Sequence, residues 1–166
     1  MKALKPLKQW ICDTCHELIE SPKDGYVEWR MNRKTGETYD FRIVHHYPAS
    51  PRKEEDDDTV GEGCYTHSEM NNDLEQFLGV QGLIRMLAQL DIGPKHNPEF
   101  TRPGVVNVRE WTEFVRRLQL PHYEEARFYF NDPDFRADYA DWNELALYQP
   151  DALAEMAAKH RANRED

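Results

Sequence analysis

Two kinds of hydrophobic spacing divide the chain. Tyr26-Val27-Glu28-Trp29-Arg30-Met31 alternates apolar and polar residues, and Tyr39-Asp40-Phe41-Arg42-Ile43-Val44-His45 resumes the alternation after the turn residues Lys34-Thr35-Gly36. A period of two with a turn between the runs predicts a β-hairpin. Upstream, Trp10-Ile11 leads into Cys12-Asp13-Thr14-Cys15, a strand end turning into a tight knuckle, and Ser21, Pro22, Asp24 and Gly25 mark the next turn. From Asn72 onward the period becomes helical. Val80, Leu83, Ile84, Leu87 and Leu90 recur at the spacing of one apolar helix stripe, which Gly93-Pro94 ends. Asn107 is placed to cap a helix whose Val108, Trp111, Val115 and Leu118 share a face, with Arg116 and Arg117 on its solvated side. Pro121 opens a short aromatic helix from Tyr123 to Phe130, broken at Asn131-Asp132-Pro133. A last helix starts near Pro150, with Leu153, Met156, Ala157 and His160 inward and Asp151 at its positive N-terminal end.

Charge changes this picture in its later part. The 166 residues carry 21 Lys and Arg against 31 Asp and Glu, a formal charge of −10. Residues 1–52 are close to neutral, so the acidity belongs to residues 53–166. Such a surface repels nucleic acid phosphates and anionic membranes at long range, which disfavours a nucleic acid partner and points to a protein partner. The stretch 47–63 holds Pro48, Pro51 and the run Glu54-Glu55-Asp56-Asp57-Asp58, which has nothing to bury and reads as a mobile acidic loop. No apolar run reaches the roughly 18–20 residues of a membrane span, and the early lysines precede no signal-peptide core, so the expected compartment is the cytoplasm.

The chain has three Cys, and two of them form Cys12-x2-Cys15. In a reducing compartment that spacing points to metal or redox chemistry rather than a structural disulfide. A redox pair would sit in a thioredoxin-like strand–helix context, which is missing around Cys12. Cys64-Tyr65-Thr66-His67 offers a thiolate and an imidazole across a second two-residue spacer, the pattern tetrahedral zinc uses. His45, at the end of the second hairpin strand and on the face of Phe41 and Ile43, competes with His67 as fourth ligand. The acids from Asp132 through Asp141 lack the central Gly and bidentate Glu of a calcium loop and read as a solvated turn. The aromatic cluster from Tyr123 to Tyr148 lacks an interleaved basic stripe and reads as core or as a protein-binding surface.

Trp10-x-Cys12-x2-Cys15, Asp24-Gly25-x-Val27-x-Trp29, Phe41-x-Ile43-Val44-His45, Cys64 and Phe77-Leu78-Gly79-x2-Gly82-Leu83 together resemble a family of uncharacterised bacterial proteins with a zinc-ribbon-like front half. The resemblance covers about half the chain and implies no known reaction. It implies a His ligand after the Phe-x-Ile-Val strand, which selects His45 over His67. The long acidic insertion between His46 and Cys64 departs from that pattern. A second resemblance competes: His45-His46-Tyr47-Pro48 followed by Asn71-Asn72-Asp73 is similar to the His…Asn…His pattern of HNH nucleases. It implies a metal-dependent nuclease, or another enzyme acting on nucleic acid, that uses His45, His46 and Asn72. Against it stand the acidic charge and the place of His67 ahead of the Asn pair.

The expected fold is therefore α+β: a zinc-ribbon-like β-hairpin module over residues 1–70, packed with a helical part over residues 71–166. Cys12, Cys15, His45 and Cys64 are expected to hold a structural Zn2+, with His67 as the alternative fourth ligand. The expected role is a non-enzymatic interaction or adaptor protein whose acidic helical surface meets a protein partner.

Overall fold

Pairing begins at the front of the chain, where β1 (Trp10–Ile11) and β2 (Leu18–Ile19) run antiparallel with Trp10 opposite Ile19. The knuckle between them closes on itself: the Cys12 N–H donates to the Glu17 carbonyl at 2.9 Å and the His16 N–H to the Cys12 carbonyl at 3.0 Å. This computed structural model describes residues 3–52, 63–65, 70–90 and 104–164. The acidic run 54–58 and His67 lie outside the described residues.

The alternating segment forms β3 (Gly25–Met31) and β4 (Thr38–His45), antiparallel, with a register shift between Glu28 and Arg30. A third strand, β5 (Met70–Asp73), pairs with the other edge of β3, giving the order β4-β3-β5. The sequence pattern predicts no strand there, because Met-Asn-Asn-Asp has little β propensity. Pairing decides it instead: the free edge of β3 presents N–H and C=O groups that β5 satisfies. Among the described residues two small antiparallel sheets and the helices make a mixed α+β fold.

Helices follow as α1 (Gly79–Leu90), α2 (Val108–Gln119), α3 (Tyr123–Tyr129), α4 (Pro133–Asp138), α5 (Glu144–Leu147) and α6 (Pro150–Ala162). Asn107 caps α2 as expected, accepting from the N–H groups of Arg109 and Glu110. Asp132 caps α4 by accepting from Asp134 N–H, so the acidic turn has a structural use. Among the described residues no helix is long and apolar enough to cross a membrane.

Two hydrophobic clusters hold these elements. The first joins the sheets to α1 through Met86 and to α2 through Trp111 and Phe114, and within it the neighbouring ring centroids of Trp29, Phe41, Phe77, Trp111 and Phe114 lie 4.6–6.1 Å apart. Such pairs contribute about 0.5–1.5 kcal/mol each beyond the area they bury. The second cluster packs α3 on α6 through Tyr123, Tyr129, Tyr139, Leu153 and Met156. The aromatic segment is thus mostly core, although Trp142 is exposed.

Two helix faces differ from the sequence reading. Of the α1 residues only Gly82 and Met86 are buried, while the stripe Val80, Leu83, Ile84, Leu87 and Leu90 faces outward. Gly82 is pressed so close to the turn before it that an added Cβ would sit 2.0 Å from the Phe77 carbonyl oxygen. On α2, Arg117 is buried rather than solvated. It lies three residues after Phe114 and one before Leu118, on the rim of the buried face, and its guanidinium reaches carboxylates that replace its water.

Candidate metal centre

Three separate stretches of chain converge at the end of the small sheet. β1 delivers Cys12 and the turn after it returns Cys15 to the same point; β4 ends on His45; Cys64 arrives from the segment after the acidic insertion. Their ligand atoms all lie within 4.8 Å of one another. Cys15 Sγ is 3.4 Å from His45 Nδ1. Around one tetrahedral zinc, bond lengths of about 2.3 Å to sulfur and 2.0–2.1 Å to nitrogen imply S···N separations of roughly 3.6 Å and S···S separations of roughly 3.8 Å. The four side chains are therefore spaced as ligands of a single ion. Cys12, Cys64 and His45 are buried and Cys15 is half-buried.

Hydrogen bonds settle which atom of His45 faces the thiols. Its Nε2 lies 3.1 Å from the Leu18 carbonyl oxygen. A carbonyl can only accept, so Nε2 carries the proton and Nδ1 keeps the lone pair aimed at the sulfurs. An imidazole fixed from behind by a backbone carbonyl is how metal-ligating histidines are oriented.

Each sulfur also has a donor of its own. Cys12 Sγ accepts from Thr14 N–H at 3.4 Å, Cys64 Sγ accepts from the Ser50 hydroxyl at 3.1 Å, and the Glu17 backbone bonds Cys15. Donors directed at sulfur favour the thiolate. Burial opposes them. It pushes the Cys15 thiol up to about 12, with Cys64 and Cys12 adding to the rise, and it raises Cys64 as well. Thiols crowded this closely release their protons to solvent favourably only when a cation takes the protons' place, its charge inverting the balance.

The knuckle is gripped from the helical side by Arg117, which the sequence pattern places in solvent, and by Glu124, which that pattern does not single out. Arg117 Nη1 donates to both oxygens of Asp13, at 3.0 and 2.7 Å. Its Nε and Nη2 donate to Glu124 at 2.7 and 3.0 Å, and Nη2 also reaches the Ile11 carbonyl at 3.1 Å. Glu124 in turn accepts from Ile11 N–H at 3.0 Å, and Asp13 Oδ2 accepts from Ile43 N–H at 2.7 Å. Burial alone would lower the Arg117 pKa, yet Glu124 and Asp13 outweigh it and hold the guanidinium above its ordinary value. The signal was an acid inside the Cys-x2-Cys spacer, which a metal ligand pattern does not require.

The residues of the nuclease-like reading are placed differently. Both nitrogens of His45 are engaged, and the His46 ring stands edge-on to Tyr26 at 4.4 Å. Asn72 lies on β5 opposite Val27. No protein-family model matches the chain, and neither a curated protein nor a solved structure matches it.

Proposed function

We propose that Cys12, Cys15, His45 and Cys64 hold one structural zinc ion, and that the protein is a zinc-stapled interaction module rather than an enzyme. The observation that carries this reading is the cluster of three thiols and one imidazole with Nε2 locked on Leu18. Three soft sulfur donors and one imidazole suit zinc better than magnesium, calcium or manganese, which take oxygen. Four protein ligands fill the tetrahedron and leave no position for a reacting water, so the ion supplies folding energy. The partner surface is the acidic stretch 131–151, where Asp132, Asp134, Asp138, Asp141, Glu144 and Asp151 stand against Arg136 within the stretch; Lys159 of α6 pairs with Asp138 at 2.7 Å and offsets part of that charge. That balance suits a basic protein and steers it at long range.

Metal analysis of freshly purified protein tests the site. One equivalent of zinc per chain is expected, falling well below one in Cys12→Ser, with loss of the cooperative melting of the front half. Protein that is folded and free of zinc when purified without chelators would sink the reading. For the partner, cross-linked complexes recovered from cells should contain a basic protein whose retention falls as salt rises. Recovery that ignores salt would contradict an electrostatic partner.

A further inference from the structure

The outward stripe of α1 has no counterpart in the rest of the described surface. Val80 is 73% exposed, Leu83 43%, Ile84 56%, Leu87 55% and Leu90 37%. Leu83, Leu87 and Leu90 also border an apolar groove of about 190 Å³ whose other wall is Trp111, Thr112 and Val115 of α2. Val108, one turn earlier on α2, is 66% exposed. Contiguous apolar surface on this scale marks an interaction site.

We propose that this face is a homodimer interface, in which α1 of one copy packs against α1 of a second across a two-fold axis. Three observations select a second copy of this chain as the occupant. First, Val80, Leu83, Leu87 and Leu90 fall at alternating spacings of three and four, the seam by which one helix packs on another like itself. Second, the face is neutral. Arg85 is the single charged residue of α1, and it is turned back to donate to Gln76 at 2.6 Å and to lie over the Phe77 ring at 5.4 Å. Two chains of charge −10 repel each other elsewhere, and here a symmetric contact brings no like charges together. Third, the area suffices. The exposed fractions of these five side chains and Val108 amount to roughly 500–600 Å² per copy, and because an interface core is about two-thirds apolar, two copies would bury about 1,600 Å² in all, the size of a specific interface.

The test is sedimentation of the full zinc-loaded chain from about 1 to 100 µM. A dimer is expected, and Leu87→Glu should weaken it by roughly 100-fold or more, because its carboxylate would be buried unpaired. Val80→Glu, at a still more exposed position, guards against a folding defect, and both variants should keep the parent's zinc content, and its melting temperature at concentrations low enough for the parent to be monomeric. Monomer at 100 µM overturns the proposal, as does a dimer that neither variant disturbs. A monomeric parent that Leu87→Glu destabilises would show that the chain covers this face itself. A monomer that instead forms a stoichiometric complex with a different protein through α1 would refute the homodimer equally.

Discussion

Replacing Arg117 by Met removes the guanidinium while keeping most of the apolar stem, leaving the Asp13 and Glu124 carboxylates facing each other with less cationic compensation. The side chains of Arg117 and Glu124 are 6% and 7% exposed, so the loss falls in the regime of a broken buried pair, about 3–5 kcal/mol, rather than that of a surface bridge. Arg127 moderates it, since its Nη2 already lies 3.2 Å from Glu124 and 3.9 Å from Asp13. The expected cost is therefore about 3 kcal/mol, which for a chain of this length lowers the melting temperature by roughly 6–12 °C. Circular dichroism melting of the zinc-loaded protein reads this directly. Because Asp13 sits between two ligands, chelator competition should also show zinc held roughly tenfold more weakly, the lower end of what outer partners of a metal site contribute. Adding Asp13→Asn and Glu124→Gln to the Met variant should restore much of the stability, since both carboxylates are then neutral while their oxygens still accept from Ile43 and Ile11. A drop under about 1 kcal/mol with unchanged zinc affinity would show that the clamp behaves as an exposed ion pair, and the reasoning would be wrong.

His45→Ala should abolish stoichiometric zinc binding while His67→Ala leaves it intact, as read by metal analysis; the reverse result would assign the fourth ligand to His67. Gly82→Ala should destabilise by several kcal/mol, despite the higher helix propensity of Ala, because its Cβ would lie 1.9 Å from the Phe77 carbonyl carbon, and an unchanged melting curve would contradict the close approach. His160, stacked on Phe128 at 5.7 Å, should titrate below the ordinary imidazole value, chiefly through burial and then through Arg164. The unfolded chain then takes up that proton more readily than the folded one, so the His160 contribution is fully present above the ordinary imidazole value and is lost as pH falls from there through its depressed folded value. NMR titration gives the pKa, and a value above that of a model imidazole would refute the assignment.

Features with a local cause could be read from the sequence. The Cys12-x2-Cys15 knuckle, the hairpin of β3 and β4, the Asn107 cap and the start of α6 at Pro150 depend on spacing, turn residues and caps within a few positions of each other. The long-range half of the metal centre was legible only in part. Residue types limited the ligands to a few, but bringing His45 and Cys64 to the knuckle needed β4 to lie beside it, fixed by the reciprocal bonds between Asp13 and Ile43. Tertiary structure alone decided three further points: that Met70–Asp73 pairs as a strand, that Arg117 is buried in a carboxylate clamp, and that the α1 stripe faces out. The physical reason is common to all three. Helical periodicity fixes which side chains share a face but not which face meets the core, and propensity ranks a strand without knowing whether an edge waits for it. A buried arginine, likewise, depends on carboxylates about seven and a hundred positions away in the chain, Glu124 and Asp13, which no local pattern connects.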